Sequence, residues 1–194
     1  MNATIALGVL FALLLGAVWF DVRSFRIPNL LVFSGAASGL ILNSVLPEGS
    51  GFVSALPGAI GFWKALAGLG LGLAILLPMY MLRAMGAGDV KLMAMVGAFL
   101  GPRAILGAIF LTLLIGGVLS LLAALRHGTL RRLITNVRDM LMISAMKVSM
   151  HEMPTADAPP VSAGRLPYAL AIAAGTLALV GLSHAGYAGF FAIS

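Results

Sequence analysis

Residues 86–104 read GAGDVKLMAMVGAFLGPRA: two glycines, a carboxylate at Asp89, a cation at Lys91, then an apolar run. A carboxylate beside hydrocarbon is costly, and an ionisable residue in an apolar segment is a functional-site candidate by default. The surrounding chain is equally apolar. Of its 194 residues, 61% are hydrophobic and 9% charged, where a soluble domain has about 25% charged; mean hydropathy is +1.08. Lipid accepts only helices and closed barrels, and these runs are too long for barrel strands. The expected fold class is therefore all-α, a polytopic bundle of about six transmembrane helices forming one integral-membrane domain over residues 1–194. The 24 glycines suit close helix packing in lipid. With no cysteine, disulfides and thiolate metal sites are excluded.

The expected membrane segments are Ala3–Phe20, Asn29–Leu46, Ala65–Leu82, Gly86–Leu100, Ala104–Leu125 and Pro167–Leu182. The fourth is short: its residues rise about 22 Å against a hydrocarbon core of ~30 Å, which implies a thinned bilayer or a wet recess at its start. The start of the chain, MNATIALGVL, lacks the basic n-region of a secretory signal, so the first segment is expected to stay as a helix. Gly51–Trp63 carries Pro57 and precedes Lys64; it is expected to be interfacial or half-inserted.

With six spans, the first, third and fifth connections share a side. Together they hold every Lys and Arg except Lys64 and Arg103. The positive-inside rule then puts those connections in the cytoplasm and both termini outside. The +6 net charge thus implies a membrane orientation and not a nucleic-acid partner. The fifth connection, 126–166, contains Leu130, Leu133, Ile134, Val137 and Leu141 on one helical stripe, with Arg131, Arg132, Arg138 and Asp139 largely off it. This predicts an amphipathic helix lying on anionic lipid, followed by a Pro/Ala linker at 153–164.

Two acids remain at membrane boundaries on one side: Asp21, at the end of the first segment, and Asp89, at the start of the fourth. Neighbouring carboxylates resist joint ionisation, so one acts as a base while the other holds a proton. Such a pair can activate water against a peptide carbonyl and then protonate the leaving amine. Gly86 and Gly88, lacking Cβ, would allow unusual backbone angles and the close approach of a substrate strand.

The segment GAGDVKLMAMVGAFLG (86–101) resembles the GxGD motif of intramembrane aspartyl proteases, most closely that of type IV prepilin peptidases. DVRSFRIPN (21–29) resembles that family's first aspartate motif, and GRLPYALAIAAGT (164–176) resembles the start of the last helix in the small members serving tight-adherence (Flp) pili. The resemblance implies catalytic Asp21 and Asp89, with Gly86, Gly88, Lys91, Arg23, Pro28 and Asn29 forming the site loop. It implies cleavage of the basic leader of a prepilin at the cytoplasmic face of a bacterial inner membrane. Larger members carry a cysteine-bearing extension that accompanies N-methylation; this chain starts in an apolar segment without cysteine, so neither methylation, nor a metal, nor any other cofactor is implied.

Each residue also has a plainer reading. Asp89 could cap a helix, and Asp21 could pair with Arg23 or Arg26. Lys91 could snorkel to the headgroups, with a lesser alternative of holding the Asp89 loop. Arg23 and Arg26 serve as topology signals, Pro28 and Asn29 as a helix start. Met81, Met85, Met93 and Met95 read as packing filler, and His127, His151 and His184 as non-ligands. The rival function is a small proton- or cation-coupled transporter using the same acids; a non-catalytic assembly subunit would leave both aspartate motifs unexplained.

Overall fold

A computed structural model describes residues 2–54, 57–82, 85–126, 128, 135, 138, 139, 142 and 168–185. Among them are five helices: α1 (Asn2–Ser24), α2 (Asn29–Val45), α3 (Phe62–Met81), α4 (Ala87–Arg126) and α5 (Tyr168–His184). Three of them, α1, α3 and α4, are long and apolar enough to cross a membrane. α2 and α5 have 17 residues each, at the lower limit of about 17–25 for a span. The expected amphipathic helix falls almost wholly outside the described residues.

The expected segments Gly86–Leu100 and Ala104–Leu125 are two helical halves of α4 that meet at a break at Gly101 (φ 78°, ψ 178°). This combination of angles is essentially confined to glycine, and Pro102 directly after it is preset to start a new helix. The chain folds back here. Asp89 lines the same cavity as Asp21, Asp21 is bonded by Ala169, and the adjacent Tyr168 packs on Gly116. In a straight helix Gly116 would stand about 40 Å from Asp89.

The first half of α4 is the centre of the molecule: Leu92, Met93, Met95, Val96, Ala98 and Phe99 are fully buried. α2 and α3 reach it through paired small residues. A Cβ at Gly39 would come within 2.8 Å of the Phe99 ring, and one at Gly72 within 2.7 Å of the Met93 carbonyl; Gly35 faces Met95, and Gly68 faces the Gly97 backbone. Each pair is spaced by four residues, the spacing that lets helices touch along one face in lipid.

Buried Asn43 on α2 clasps the reversal. Pro102 has no N–H, so the Ala98 carbonyl four residues earlier lacks its helical donor. Asn43 Nδ2 donates to that carbonyl at 2.9 Å and to Phe99 O at 3.1 Å. Its Oδ1 accepts from Ile60 N–H at 3.1 Å, and its backbone carbonyl accepts from Gly61 N–H at 3.0 Å. In the segment 51–63, expected to be interfacial or half-inserted, residues 51–54 and 57–61 lie outside the helices. The segment is pinned by bridges between Glu48 and Ala59 and between Gly51 and Gly58, with Phe52 buried beneath it. α3 begins at Phe62.

Asn43→Leu keeps the branching but strands the Ile60 N–H and the Ala98 carbonyl. A loss of about 1–3 kcal/mol per stranded group should lower the thermal midpoint of the detergent-solubilised protein. Ser44→Ala, at an exposed neighbour, should leave it unchanged.

Candidate active site

The two motifs meet in a cavity of about 550 Å³ whose lining includes Asp21, Asp89, Gly86, Gly88, Pro28, Asn29 and Lys91. Of the residues expected at the site, Arg23 alone is absent from it. A residue four positions from Trp19 shares its helix face, and the Arg23 guanidinium lies over the Trp19 ring, 5.4 Å from its centroid. Arg26 lines the cavity instead.

Asp21 sits inside the last turn of α1, which runs on to Ser24, and it is buried. Its carboxylate is held by neither arginine: Oδ2 accepts a hydrogen bond from Ala169 N–H at 3.0 Å. That amide belongs to the first turn of α5, where N–H groups have no partner inside the helix. Asp89 is not the cap residue of α4 but the third residue of the helix. Its Oδ2 accepts from Gly86 N–H at 3.2 Å, while Gly86 O accepts from Asp89 N–H at 3.2 Å. This is the reach-back half of a capping box. Both bonds fall on Oδ2, so each carboxylate keeps a second oxygen for chemistry.

One feature expected of the glycines is absent. Neither Gly86 nor Gly88 has positive φ. A Cβ at Gly86 would press on Asp89 Oδ2 at 3.1 Å, so the missing side chain gives the carboxylate room to fold back; a Cβ at Gly88 would meet the Ile27 side chain at an ordinary 3.5 Å.

A second bond ties the motifs together. Lys91 Nζ donates to Asn29 Oδ1 at 3.1 Å and lies 5.7 Å from the centre of the Phe33 ring. Lys91, the fifth residue of α4, therefore links that helix to the first turn of α2. The sequence had offered headgroup snorkelling as its simplest role.

Between Asp21 and α2 the chain makes a tight corner. Phe25 N–H donates to Asp21 O at 2.8 Å and Ser24 Oγ to Phe20 O at 2.7 Å. Phe25 itself has φ 50°, a left-handed conformation that costs a non-glycine residue on the order of 1–3 kcal/mol. Phe20, Phe25 and Ile27 line the cavity; none was singled out from the sequence. Among the described residues no group of three His, Cys, Asp or Glu could hold a metal ion.

Fold and cavity together describe a helical protein with three helices able to cross a membrane and two carboxylates lining one cavity. A family model described as the type IV leader peptidase family matches residues 8–121. The match covers more than half of the chain, and the chain belongs to that family. It includes both aspartates and every residue lining the cavity, whereas α5, the source of the Ala169 amide, lies beyond it. Comparison with individual characterised proteins and with solved structures gave no match.

Lys91→Met and Asn29→Ala should each slow leader-peptide cleavage about tenfold while leaving the thermal midpoint near that of the parent. The double variant should be no slower than either alone, because partners in one interaction are not additive. Additive losses would show that the two residues act separately.

Proposed function

We propose that this protein is an aspartyl leader peptidase that removes the basic leader of a type IV prepilin, of the Flp type, at the cytoplasmic face of a bacterial inner membrane. The observation carrying this reading is that Asp21 and Asp89, far apart in sequence, line one cavity and are each held through a single oxygen by a backbone amide at a helix start. Family membership supports the substrate class. The break of α4 at Gly101 supports counting its halves as fourth and fifth spans, and six spans with the charge rule put the odd-numbered connections in the cytoplasm and both termini outside.

In the proposed reaction one carboxylate takes a proton from water, and the water oxygen attacks the scissile carbonyl. The other, protonated, donates to the oxyanion or the departing amine as the C–N bond breaks. The two protons belong to the pair as a unit. Lys91 and Asn29 fix the spacing of the two motifs, and Arg26 stands at the rim. The substrate's apolar helix lies in the bilayer while its basic leader stays in the cytoplasm, so the junction falls beside the carboxylates. Helical carbonyls are already hydrogen-bonded, so the junction has to unwind, and a Gly there lowers that cost by up to ~1 kcal/mol relative to Ala.

Asp21→Asn and Asp89→Asn should each reduce cleavage of a prepilin leader by at least about 100-fold with helicity by circular dichroism unchanged. Full activity in either folded variant would overturn the pair mechanism.

Depth should select the bond. Four to six leucines inserted after the junction Gly of the substrate should be tolerated. The same insert before it should bury the junction about 6–9 Å deeper and sharply slow processing. Equal rates would show that depth does not choose the cut.

A further inference from the structure

We infer that Phe25, held in a left-handed backbone at the end of α1, forms with Phe20 an apolar subsite that seats a bulky apolar substrate side chain next to the scissile bond. The inference rests on the leader-peptidase reading and adds a specificity determinant to it.

Phe25 occupies the position just after the helix, bonded through its N–H to Asp21 O. Glycine or asparagine ends a helix there at little conformational cost. A large aromatic side chain at φ 50° is an outlier, and such strain concentrates at ligand clamps and active sites. A phenylalanine meant only for lipid needs no such backbone: Leu15 and Trp19 face outward from ordinary helical positions on α1. Nor does a ring pair explain it, since the close aromatic pair among the described residues is Phe62 with Trp63.

The place of the strain gives it meaning. Phe25 and Phe20 both line the cavity and remain 46% and 42% exposed. They border Asp21, in a lining that continues the apolar surface with Ile27 and Pro28 and also holds polar Ser24, Arg26, Asn29 and Lys91. An extended substrate strand alternates its side chains, so a strand crossing the pair presents one flanking side chain toward the end of α1. An apolar residue from the start of the substrate's membrane helix fits this wall, and a charged leader residue does not.

The test uses the full-length protein in lipid vesicles and two leader peptides that differ in one residue, Leu or Ala, directly after the junction Gly. The parent should prefer Leu by about tenfold in kcat/KM, a size ordinary for a hydrophobic contact. Phe25→Gly should bring the preference near one while raising the thermal midpoint by about 2–4 °C as strain is relieved. Phe25→Leu should keep most of the preference. Phe25→Asn, which also accepts the left-handed backbone, serves should the glycine variant fold poorly. A preference unchanged in the Gly or Asn variant, or absent in the parent, overturns the inference. If neither peptide is cleaved at all, it is the peptidase reading that fails. The subsite is then read from peptide binding, where tighter binding of Leu, lost in Phe25→Gly, upholds it and equal affinities refute it.

Discussion

A carboxylate in an apolar bundle persists only if something polar holds it, and here the holders are backbone amides at helix starts. Removing such a group from water without a partner costs several kcal/mol, and ionisable partners would compete for its proton. The Ala169 N–H bonded to Asp21 and the Gly86 N–H bonded to Asp89 satisfy the acids without adding another titratable group. That solution constrains the architecture. The first turns of α4 and α5 have to arrive at the same end of the bundle as the last turn of α1, so connections must bring the chain back between them.

The reversal at Gly101 meets that constraint within the most buried part of the molecule. Breaking a helix there exposes carbonyls where no water can reach, and Asn43 supplies the missing donors. The same asparagine anchors the Ile60 and Gly61 amides, so the loop before α3 and the turn within α4 share one clasp. Close glycine contacts along α2 and α3 then press both helices onto the first half of α4. The first half of α4, with Asp89 near its start, is thereby the most buried stretch of the bundle.

Much of this was legible in the sequence, because hydrophobic run length and charge asymmetry are strong signals for lipid-soluble helices. Glycine spacing and the two aspartate motifs pointed to a shared site. What was hidden had no residue signature. A backbone N–H is present in almost every residue, so nothing marked Ala169 as the partner of Asp21. Lys91 looked like any boundary lysine until the fold set Asn29 beside it. Arg23 and Arg26 differ by three positions, close to one helical turn, but the helix ends between them; that ending sends Arg23 onto Trp19 and Arg26 into the cavity. Phe25 was silent for the same reason, since a left-handed backbone angle belongs to the turn and not to the residue type. The fourth and fifth segments were separable by their apolar runs, yet the single-residue hinge between them was not.

The packing behind the carboxylates also bears on the rival transporter reading. A coupled transporter needs a polar route that continues from its ionisable site toward the far side. Beyond Asp89 the first half of α4 presents Leu92, Met93, Met95, Val96 and Phe99, all fully buried. Among the described residues, the buried polar side chains deeper in the bundle do not continue a path: Asn43 is consumed by its clasp, and Thr176 is bonded to the Ile172 carbonyl of its own helix. Thr112 Oγ1, without a partner, is a single hydroxyl packed against Gly175. The acids therefore face a cleft closed behind them by apolar side chains. Such a cleft suits chemistry on a segment presented from the membrane boundary, and the hydrolysis proposed here requires no passage through the protein.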